Sequence, residues 1–319
     1  MTHDSGPYHA TCTTVTSLVD ICTTLLGDRE LAIATIARGG AWVNRERVRA
    51  LSAVLLPSMQ VTVHTPPAHA RPCHIDETAI LYHDRWLIAI NKPAGTYVDS
   101  TPWDEDNQLR NALAALWHRQ HGEHLKLHPA HRLDRDTTGV LLFSHHPHAN
   151  PAIQRIFVHH RAHKRYICHV HGHVTWSEQI CHSGHGRSER GRFRVYPLAQ
   201  VGEALPNGDS IKEMQTRYTR LALQEDGTSM LLAEPLSGRT HQIRLHCAML
   251  GHPIVGDTSY GHADDVVRQH RLHAWSLALP HPIHETPLTL TAPLPDWCPV
   301  HLAERVASAT IHHDDLDNI

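Results

Sequence analysis

The sequence predicts a protein of mixed α and β structure, built from a small N-terminal module and a larger domain. Three observations lead to this prediction. The chain has 319 residues, which is long for one domain. Apolar residues make up 41% of it, enough for a sizeable core. Short apolar runs of strand length alternate with segments of helical periodicity, and a proline-rich stretch separates the two parts.

The N-terminal part is expected to form a compact module at 15–65, after a flexible N-terminus at 1–14. Its predicted elements are helices at 17–22 and 31–37 and strands at 41–44 and 61–63. Two helices followed by such a strand are similar to the small RNA-binding module of ribosomal protein S-four, although the lysine-rich second helix is absent. An ordinary packing module is the alternative. A stiff linker is predicted at 66–76.

The larger domain is predicted at 77–305, followed by an acidic tail at 306–319. Its first apolar runs predict strands, and Pro93 with Gly95 ends the second of them, just after Lys92. From the residues alone, Lys92 is either a phosphate contact or a structural charge. The remaining predictions are helices at 107–117, 149–157 and 240–250, a half-exposed strand from Tyr166, and a mobile basic loop at 184–194.

The stretch His131–Gly139 is the candidate centre of the domain, because two acids lie among two arginines just before a short apolar run. A carboxylate beside guanidinium groups stays ionised at neutral pH. Such a carboxylate serves as a nucleophile or as an electrostatic stabiliser. A structural ion pair that braces a loop explains the same residues equally well.

Charge and composition limit the classes of function. The net charge is −3, which argues against a generally basic nucleic-acid binder. The segment 131–194, however, holds ten Lys and Arg residues against four acids, as expected of a local polyanion site. The 33 histidines show no metal-ligand spacing, so no metal site is predicted. Most of them are expected on the surface, where they begin to charge at about pH 6.5.

The seven cysteines form an odd, scattered set without a Cys-x-x-Cys pair. They are expected to be reduced thiols of a cytoplasmic protein. The N-terminus lacks a basic-then-apolar targeting pattern, and no apolar run approaches about 18 residues. We therefore expect no membrane association.

Several motifs resemble those of one family, in the right order along the chain. They are Asn-Lys-Pro-x-Gly at 91–95, His-Arg-Leu-Asp at 131–134, Lys-x-Tyr at 164–166, Gly-Arg-Thr-His-Gln-Ile-Arg-Leu-His at 238–246, and Gly-His-Pro-Ile-Val-Gly-Asp at 251–257. Together they resemble the RluA-type pseudouridine synthases over roughly 78–285. Thr138 stands where Ser is more usual, which keeps the hydroxyl.

The resemblance implies an α+β pseudouridine synthase fold, with a large mixed, mainly antiparallel sheet and a central cleft flanked by helices. It implies an isomerase that converts specific uridines in ribosomal or transfer RNA to pseudouridine. It also implies that no cofactor is needed, that RNA is the partner, and that the protein works as a monomer without an obligatory protein partner.

The resemblance also assigns roles to residues. Asp134 would be the catalytic carboxylate, Tyr166 the ring against the base, and Arg244 the ion-pair partner that orients Asp134. The residues expected to bind substrate are Arg132, which would replace the extruded base, and Arg239, His131 and Lys164. If Asp134 and Arg244 lay more than about 6 Å apart, the assignment would fail.

Two alternatives remain open at this point. An RNA-binding relative without catalysis would share the fold but show no turnover, so mutating Asp134→Asn would abolish no activity. A metal-dependent hydrolase that uses the many histidines would be sensitive to chelators.

Overall fold

The computed structural model describes residues 7–67, 70, 72–188 and 192–308. The chain forms two compact units. The first comprises the residues up to Ile75 together with Gly95–Leu125, and the second comprises Asp76–Ala94 and the chain from Lys126 onward. No helix among the described residues is long and apolar enough to cross a membrane.

The first unit extends beyond the predicted module, because residues 95–125 group with it rather than with the larger domain. Long-range contacts explain the difference. The Arg49 guanidinium pairs with Asp106 at 2.6 Å, and the Trp42 indole donates to the Pro102 carbonyl at 2.8 Å. These partners are more than fifty positions apart, so no local sequence pattern shows them.

The first unit contains the predicted helix pair. Its helices are α1 (Leu18–Leu26), α2 (Arg29–Arg38) and α3 (Leu109–His121). Its strands are β1 (Pro7–Thr11), β2 (Thr16–Ser17), β3 (Ala41–Val43), β4 (Glu46–Arg47), β5 (Val54–Leu55) and β6 (Gln60–His64). Four of them form a sheet in the order β1-β6-β3-β4, and β2 pairs with β5. The resemblance to the ribosomal-protein module stays a prediction.

Capping residues fix the ends of α1 and α2. Ser17 and Asp28 accept backbone N–H groups of the first turns, from Asp20 and Leu31 respectively. Gly27 ends α1 with a φ of 73°, a left-handed conformation that glycine adopts without steric cost. The sequence therefore placed both helices to within a few residues.

The second unit is dominated by one large sheet. Its strands are β7 (Ile80–His83), β8 (Leu87–Lys92), β9 (His128–Pro129), β10 (Thr138–Ser144), β11 (His163–His171), β12 (Glu178–Arg187), β13 (Phe193–Tyr196), β14 (Lys212–Leu223), β15 (Thr228–Pro235), β16 (Leu272–Pro280) and β17 (Pro287–Thr291). Its helices are α4 (Ala149–Val158), α5 (Gln242–Met249) and α6 (Ala303–Ser308), with short 3-10 turns at Glu77–Ala79, Leu198–Gln200 and Val300–Leu302.

The order of the sheet is β13-β12-β14-β15-β11-β16-β10-β8-β7, with β17 added to β16 and β9 to β10. Among the described strands only β10 and β16 pair in parallel, and all other pairs are antiparallel. The expected mixed, mainly antiparallel sheet is thereby confirmed. Because β10 lies between β8 and β16 in the interior of the sheet, Val140–Phe143 are almost fully buried.

The prediction of a half-exposed strand after Tyr166 is wrong. Strand β11 pairs with β15 on one side and β16 on the other, and both of its faces are covered. Tyr166 and Cys168 pack in the core on one face, while Ile167 packs with Met230 on the other. Histidines at 169 and 171 produced the apparent alternation, but His169 is itself 5% exposed.

The prediction of a mobile basic loop at 184–194 is also wrong for most of its length. Residues 184–187 belong to β12 and residues 193–194 to β13, and these strands pair as a hairpin. Cross-strand hydrogen bonds therefore order the segment despite its glycines and arginines. The connecting residues 189–191, and the tail beyond 308, lie outside the described residues.

Candidate active site

The loop that carries Asp134 is tied to the sheet by a buried lysine. Lys92, at the end of β8, is 0% exposed. Its Nζ donates to the carbonyls of Pro93 at 3.0 Å, Arg135 at 2.7 Å and Thr137 at 3.0 Å. A group this far from solvent is placed to shape the loop, so of the two readings of Lys92 the structure fits the structural charge.

The same loop ends at a point where two backbones meet closely. Gly139 pairs with Ala274 of β16 and has a φ of 104°. A Cβ atom at Gly139 would lie 2.1 Å from the Ala274 carbonyl oxygen. Only glycine fits this crossing. Next to it, the Thr138 hydroxyl hydrogen-bonds to Nδ1 of His273 at 2.7 Å, so the hydroxyl kept at position 138 has a structural partner.

Asp134 and Arg244 meet across 110 residues of sequence. Arg244 Nη1 donates to Asp134 Oδ2 at 2.8 Å, well inside the 6 Å limit set above. The neighbouring acid, Asp136, is instead bound by its adjacent residue Arg135 through two hydrogen bonds. The structure therefore shows that the two acids of the motif have different partners, which the sequence alone did not show.

Arg244 is fixed by a second carboxylate that the sequence analysis did not single out. Its Nε and Nη2 donate to Oδ2 and Oδ1 of Asp257 at 2.7 and 2.8 Å. Both residues are buried, with Arg244 6% and Asp257 1% exposed. Asp257 was quoted only as part of a matching motif. Its position after Gly256, in a segment that must turn sharply, was the one available signal.

The charges around Asp134 favour its ionised form. Burial alone would raise the pKa of this carboxyl, but His241 and Arg244 lower it, and the net pKa lies below its usual value. The pKa of Arg244 is raised, because hydrogen bonds to Asp257 and the charges of both carboxylates outweigh its own desolvation. Asp134 is 24% exposed in its side chain, so it is both charged and accessible.

Tyr166 lies in the core, close enough to Asp134 for the charge of that carboxylate to act on its hydroxyl. It is 8% exposed and packs in the same apolar cluster as Leu133. Burial raises the pKa of its hydroxyl, and the charge of Asp134 raises it further. The phenol is therefore protonated at neutral pH, and the residue presents an aromatic ring rather than a phenolate next to Asp134.

Helix α5 begins differently from the prediction. The predicted helix starts at 240, whereas α5 starts at Gln242, and its cap position is occupied by His241, whose side chain makes no cap hydrogen bond. His241 adopts a left-handed conformation with a φ of 57°, which costs a non-glycine residue about 1 kcal/mol or more. This turn points the imidazole at the site: Nε2 lies 3.7 Å from Asp134 Oδ1.

Two of the expected substrate-binding residues are engaged with the protein itself. His131 Nε2 accepts the Leu142 N–H at 3.2 Å, and its ring stacks on Phe157. Burial, with the charge of Lys164, lowers the pKa of His131 to about 3. Lys164 Nζ donates to the Ser237 carbonyl at 3.4 Å, and burial lowers its pKa to about 8.

The other two residues expected to bind substrate, Arg132 and Arg239, are exposed at the surface. Arg132 is exposed, and its side chain makes no hydrogen bond or ion pair within the described part of the chain. Arg239 is also exposed, and its Nε donates to the Glu213 carbonyl at 3.0 Å. Both guanidinium groups remain accessible to a large anionic ligand.

Several histidines expected on the surface are buried in or near the site. His270 hydrogen-bonds to the Thr137 hydroxyl at 2.8 Å, and burial lowers its pKa to about 4. His246 and His273 show the same effect, with pKa values also lowered to about 4 by burial. Within the described ranges, no group of three or more His, Cys, Asp or Glu side chains has the geometry to hold a metal ion.

The site thus combines an ionised, accessible carboxylate with a rigid guanidinium and an aromatic ring. Such a carboxylate attacks an electrophilic carbon or removes a proton from one. Donors beside it stabilise an anion that forms during the reaction.

Comparison with known proteins agrees with this chemistry. Residues 86–249 match the model of the RNA pseudouridylate synthase family. The chain is 34% identical to RNA pseudouridine synthase 1 of Oryza sativa over 72% of this chain and 76% of that protein. It is 30% identical to the dual-specificity RNA pseudouridine synthase RluA of Vibrio vulnificus, over 64% and 78%.

The fold is shared as well. The human RNA pseudouridylate synthase domain-containing protein 1 superposes with a TM-score of 0.56 at 23% identity, over 77% of this chain and 98% of that chain. The protein belongs to the RluA-type family of RNA pseudouridine synthases. It is an isomerase of that class, converting uridine to pseudouridine in RNA.

Proposed function

We propose that this protein isomerises specific uridines in ribosomal or transfer RNA, with Asp134 as the catalytic carboxylate and without a cofactor. Similarity to proteins named for such substrates supports the choice of RNA. One is the tRNA pseudouridine synthase C of Vibrio cholerae, 31% identical over 67% of this chain and 90% of that protein. None of the seven cysteines forms a disulfide, which supports a cytoplasmic location, and we propose that the enzyme acts there as a monomer.

The reaction breaks the bond between the sugar and nitrogen 1 of uracil and joins the sugar to carbon 5. The detached uracil must rotate while it is still bound and then be recaptured. Asp134 would act below the sugar, as nucleophile at the anomeric carbon or as base at the neighbouring carbon. Both roles need an ionised carboxylate, and the lowered pKa of Asp134 supports this.

The observation that carries the proposal is the chain of contacts from Asp134 through Arg244 to Asp257. Two hydrogen bonds to Asp257, from Nε and Nη2, fix the orientation of the buried guanidinium. Its Nη1 therefore holds Asp134 in one position. Tyr166, whose hydroxyl is within the electrostatic reach of Asp134, would stack its ring against the base.

The exposed arginines would bind the rest of the RNA. Arg132 is next to the catalytic loop and would occupy the space left by a uridine turned out of its stack. Arg239 would contact a backbone phosphate. Lys164 and His131, which contact the protein itself, would support the pocket wall while contributing charge or shape toward the bound base.

The test is release of tritium from RNA labelled at carbon 5 of uridine, because isomerisation must expel that hydrogen. Wild type, Asp134→Asn and Asp136→Asn are compared on total ribosomal and transfer RNA from a deletion strain. We expect release by wild type and by Asp136→Asn, and none by Asp134→Asn, while RNA affinity stays nearly equal.

Asp136→Asn is the matched control, since it removes a carboxylate from the same motif that pairs with Arg135 instead of Arg244. Equal loss in both variants would contradict the assignment of Asp134. No release by wild type from either RNA pool would contradict the proposed substrates, and a gel shift with the same RNAs would show whether the protein only binds them.

A further inference from the structure

The carboxylate of Asp134 is approached from both of its oxygens. Arg244 donates to Oδ2, and Nε2 of His241 lies 3.7 Å from Oδ1. Catalytic hydrogen bonds are often long in a ligand-free site and shorten when substrate binds. His241 is 27% exposed in its side chain, so it lies at the wall of the site rather than in the solvent or deep in the core.

The other side of the His241 ring is held by a tyrosine. Nδ1 lies 2.9 Å from the hydroxyl of Tyr260. Burial lowers the pKa of His241 and raises that of Tyr260, so the imidazole is neutral and the phenol protonated at neutral pH. A hydroxyl that donates to Nδ1 leaves the ring proton on Nε2, where it faces the negative charge of Asp134.

One short turn positions both residues that face Asp134, namely Arg244 and His241. Asp257, which accepts two hydrogen bonds from Arg244, also accepts the backbone N–H groups of Ser259 at 2.9 Å and Tyr260 at 3.1 Å. The turn that fixes the guanidinium therefore also fixes the tyrosine that contacts His241. The guanidinium of Arg244 and the imidazole of His241, which both face Asp134, are therefore positioned by the same turn.

The backbone of His241 reinforces this arrangement. A left-handed conformation is uncommon for residues with a side chain, although Asn, Asp and His adopt it more often than the others, and it clusters at functional sites when the surroundings enforce it. Phe193 and Tyr260 both meet the His241 ring edge-on, with centroids 5.6 Å away. Their contacts hold the ring in the plane that directs Nε2 at Asp134.

We propose that His241 is a positioning residue for the isomerisation: it holds Oδ1 of Asp134 while Arg244 holds Oδ2, and Tyr260 acts through it by fixing its tautomer. This inference rests on the proposed function, because it assumes that Asp134 reacts with the sugar.

The consequence for the reaction is geometric. A carboxylate has about four acceptor positions, so two donors leave two lone pairs free for the sugar. If the 3.7 Å contact of His241 shortens to a hydrogen bond when substrate binds, each oxygen has one donor, and rotation of the carboxylate about its bond to Cβ is restricted. Loss of the second donor allows that rotation and lowers the fraction of bound complexes that are ready to react.

The test compares three variants by tritium release at saturating RNA. His241→Phe keeps the ring but removes the donor, and we expect kcat to fall on the order of ten- to a hundred-fold with KM within about twofold of wild type. His241→Gln places an amide N–H near the position of Nε2, and we expect it to recover roughly tenfold in kcat.

His241→Asn separates activity from stability. Asparagine, like histidine, tolerates the left-handed conformation, so we expect the midpoint of thermal unfolding to stay close to that of wild type. Its amide is too short to reach Oδ1, so kcat should be as low as that of His241→Phe. A kcat that follows the unfolding midpoint across the three variants would show a merely structural role and overturn the inference.

A double-mutant cycle tests the part played by Tyr260. Tyr260→Phe keeps the ring that lies 5.1 Å from the Arg244 guanidinium and removes only the hydroxyl. We expect a smaller loss of kcat than in His241→Phe, and no further loss when the two changes are combined. Fully additive effects would refute the tautomer mechanism.

Failure of the inference is distinguishable from failure of the proposed function. If wild type releases tritium and Asp134→Asn does not, the function stands, and a His241→Phe enzyme with wild-type kcat overturns the inference alone. If wild type releases none, the proposed function fails and the inference fails with it.

Discussion

Asp134 and Asp257 bind the same guanidinium, that of Arg244, from opposite ends. Asp134 takes one hydrogen bond, from Nη1, and is accessible, whereas Asp257 takes two, from Nε and Nη2, and is buried. The difference in exposure separates their tasks. The buried acid anchors the arginine, and the arginine in turn presents the accessible acid to the cleft.

The first prediction concerns this anchor. Asp257→Asn should lower the free energy of unfolding by about 3 kcal/mol, because it breaks a buried, hydrogen-bonded ion pair. It should also lower kcat, since Arg244 loses the partner that fixes its direction. Urea unfolding and tritium release measure the two effects.

An exposed ion pair in the same unit provides the control for Asp257→Asn. Arg161 and Glu285 lie 3.4 Å apart at the surface. Arg161→Ala should change the unfolding free energy by less than about 1 kcal/mol and leave kcat at the wild-type value. An Asp257→Asn protein as stable and as active as Arg161→Ala would show that Asp134 alone holds Arg244 in place.

The second prediction distinguishes the two readings of Lys92. Lys92→Met should leave three carbonyls, one of them buried, without this donor and lower the unfolding free energy by about 3 kcal/mol. RNA affinity at a permissive temperature should change little. The exposed Lys126→Met is the control, with an effect on stability within about 0.5 kcal/mol. A large drop in RNA affinity with unchanged stability would instead show that Lys92 contacts a phosphate of the RNA.

The third prediction concerns the crossing of β10 and β16. Gly139→Ala should destabilise the protein by several kcal/mol, because the new methyl group would overlap the Ala274 carbonyl and the φ is positive. Gly227→Ala, in the β14–β15 turn, has a similar φ of 83° but open space around it. It should cost only about 1 kcal/mol. Equal midpoints in urea unfolding would show that the strands separate to accept the methyl group.

The sequence predicted the local elements well and the site only in part. Helices α1 and α2 follow from their end signals and apolar residues, α4 follows from apolar spacing alone, and β10 follows from one apolar run. The exposure of β11 does not, because it depends on which strands pair with it. Asp257 was missed for the same reason: its pairing with Arg244 is a contact in three dimensions, and its position after Gly256 indicates a turn but does not show that the acid is buried or which residue it pairs with.

The histidines show the limit of reasoning from composition. An imidazole is charged in mild acid only if water or an anion stabilises it, and burial removes that support. His131, His169, His246, His270 and His273 have pKa values lowered to between about 3 and 4 by burial, so these five do not add positive charge for RNA near pH 6. Any gain of RNA affinity in mild acid must therefore come from the exposed histidines.

The last prediction follows from the same buried histidines. A histidine with a lowered pKa in the folded state binds its proton in the unfolded state first, as pH falls below about 6.5. Stability is therefore fully present above that pH and is lost toward the folded pKa, which for His246 is about 4. Each such group adds a slope of up to about 1.4 kcal/mol per pH unit within this window. His246→Gln should accordingly flatten the pH dependence of the unfolding free energy by one proton.

Ser183→Ala is the control: it removes a hydroxyl partner of His246 but keeps the imidazole, so it should lower stability at every pH and retain the wild-type slope. Urea unfolding between about pH 7 and pH 4.5 measures all three proteins, and a His246→Gln curve parallel to that of Ser183→Ala would show that His246 takes up its proton without unfolding.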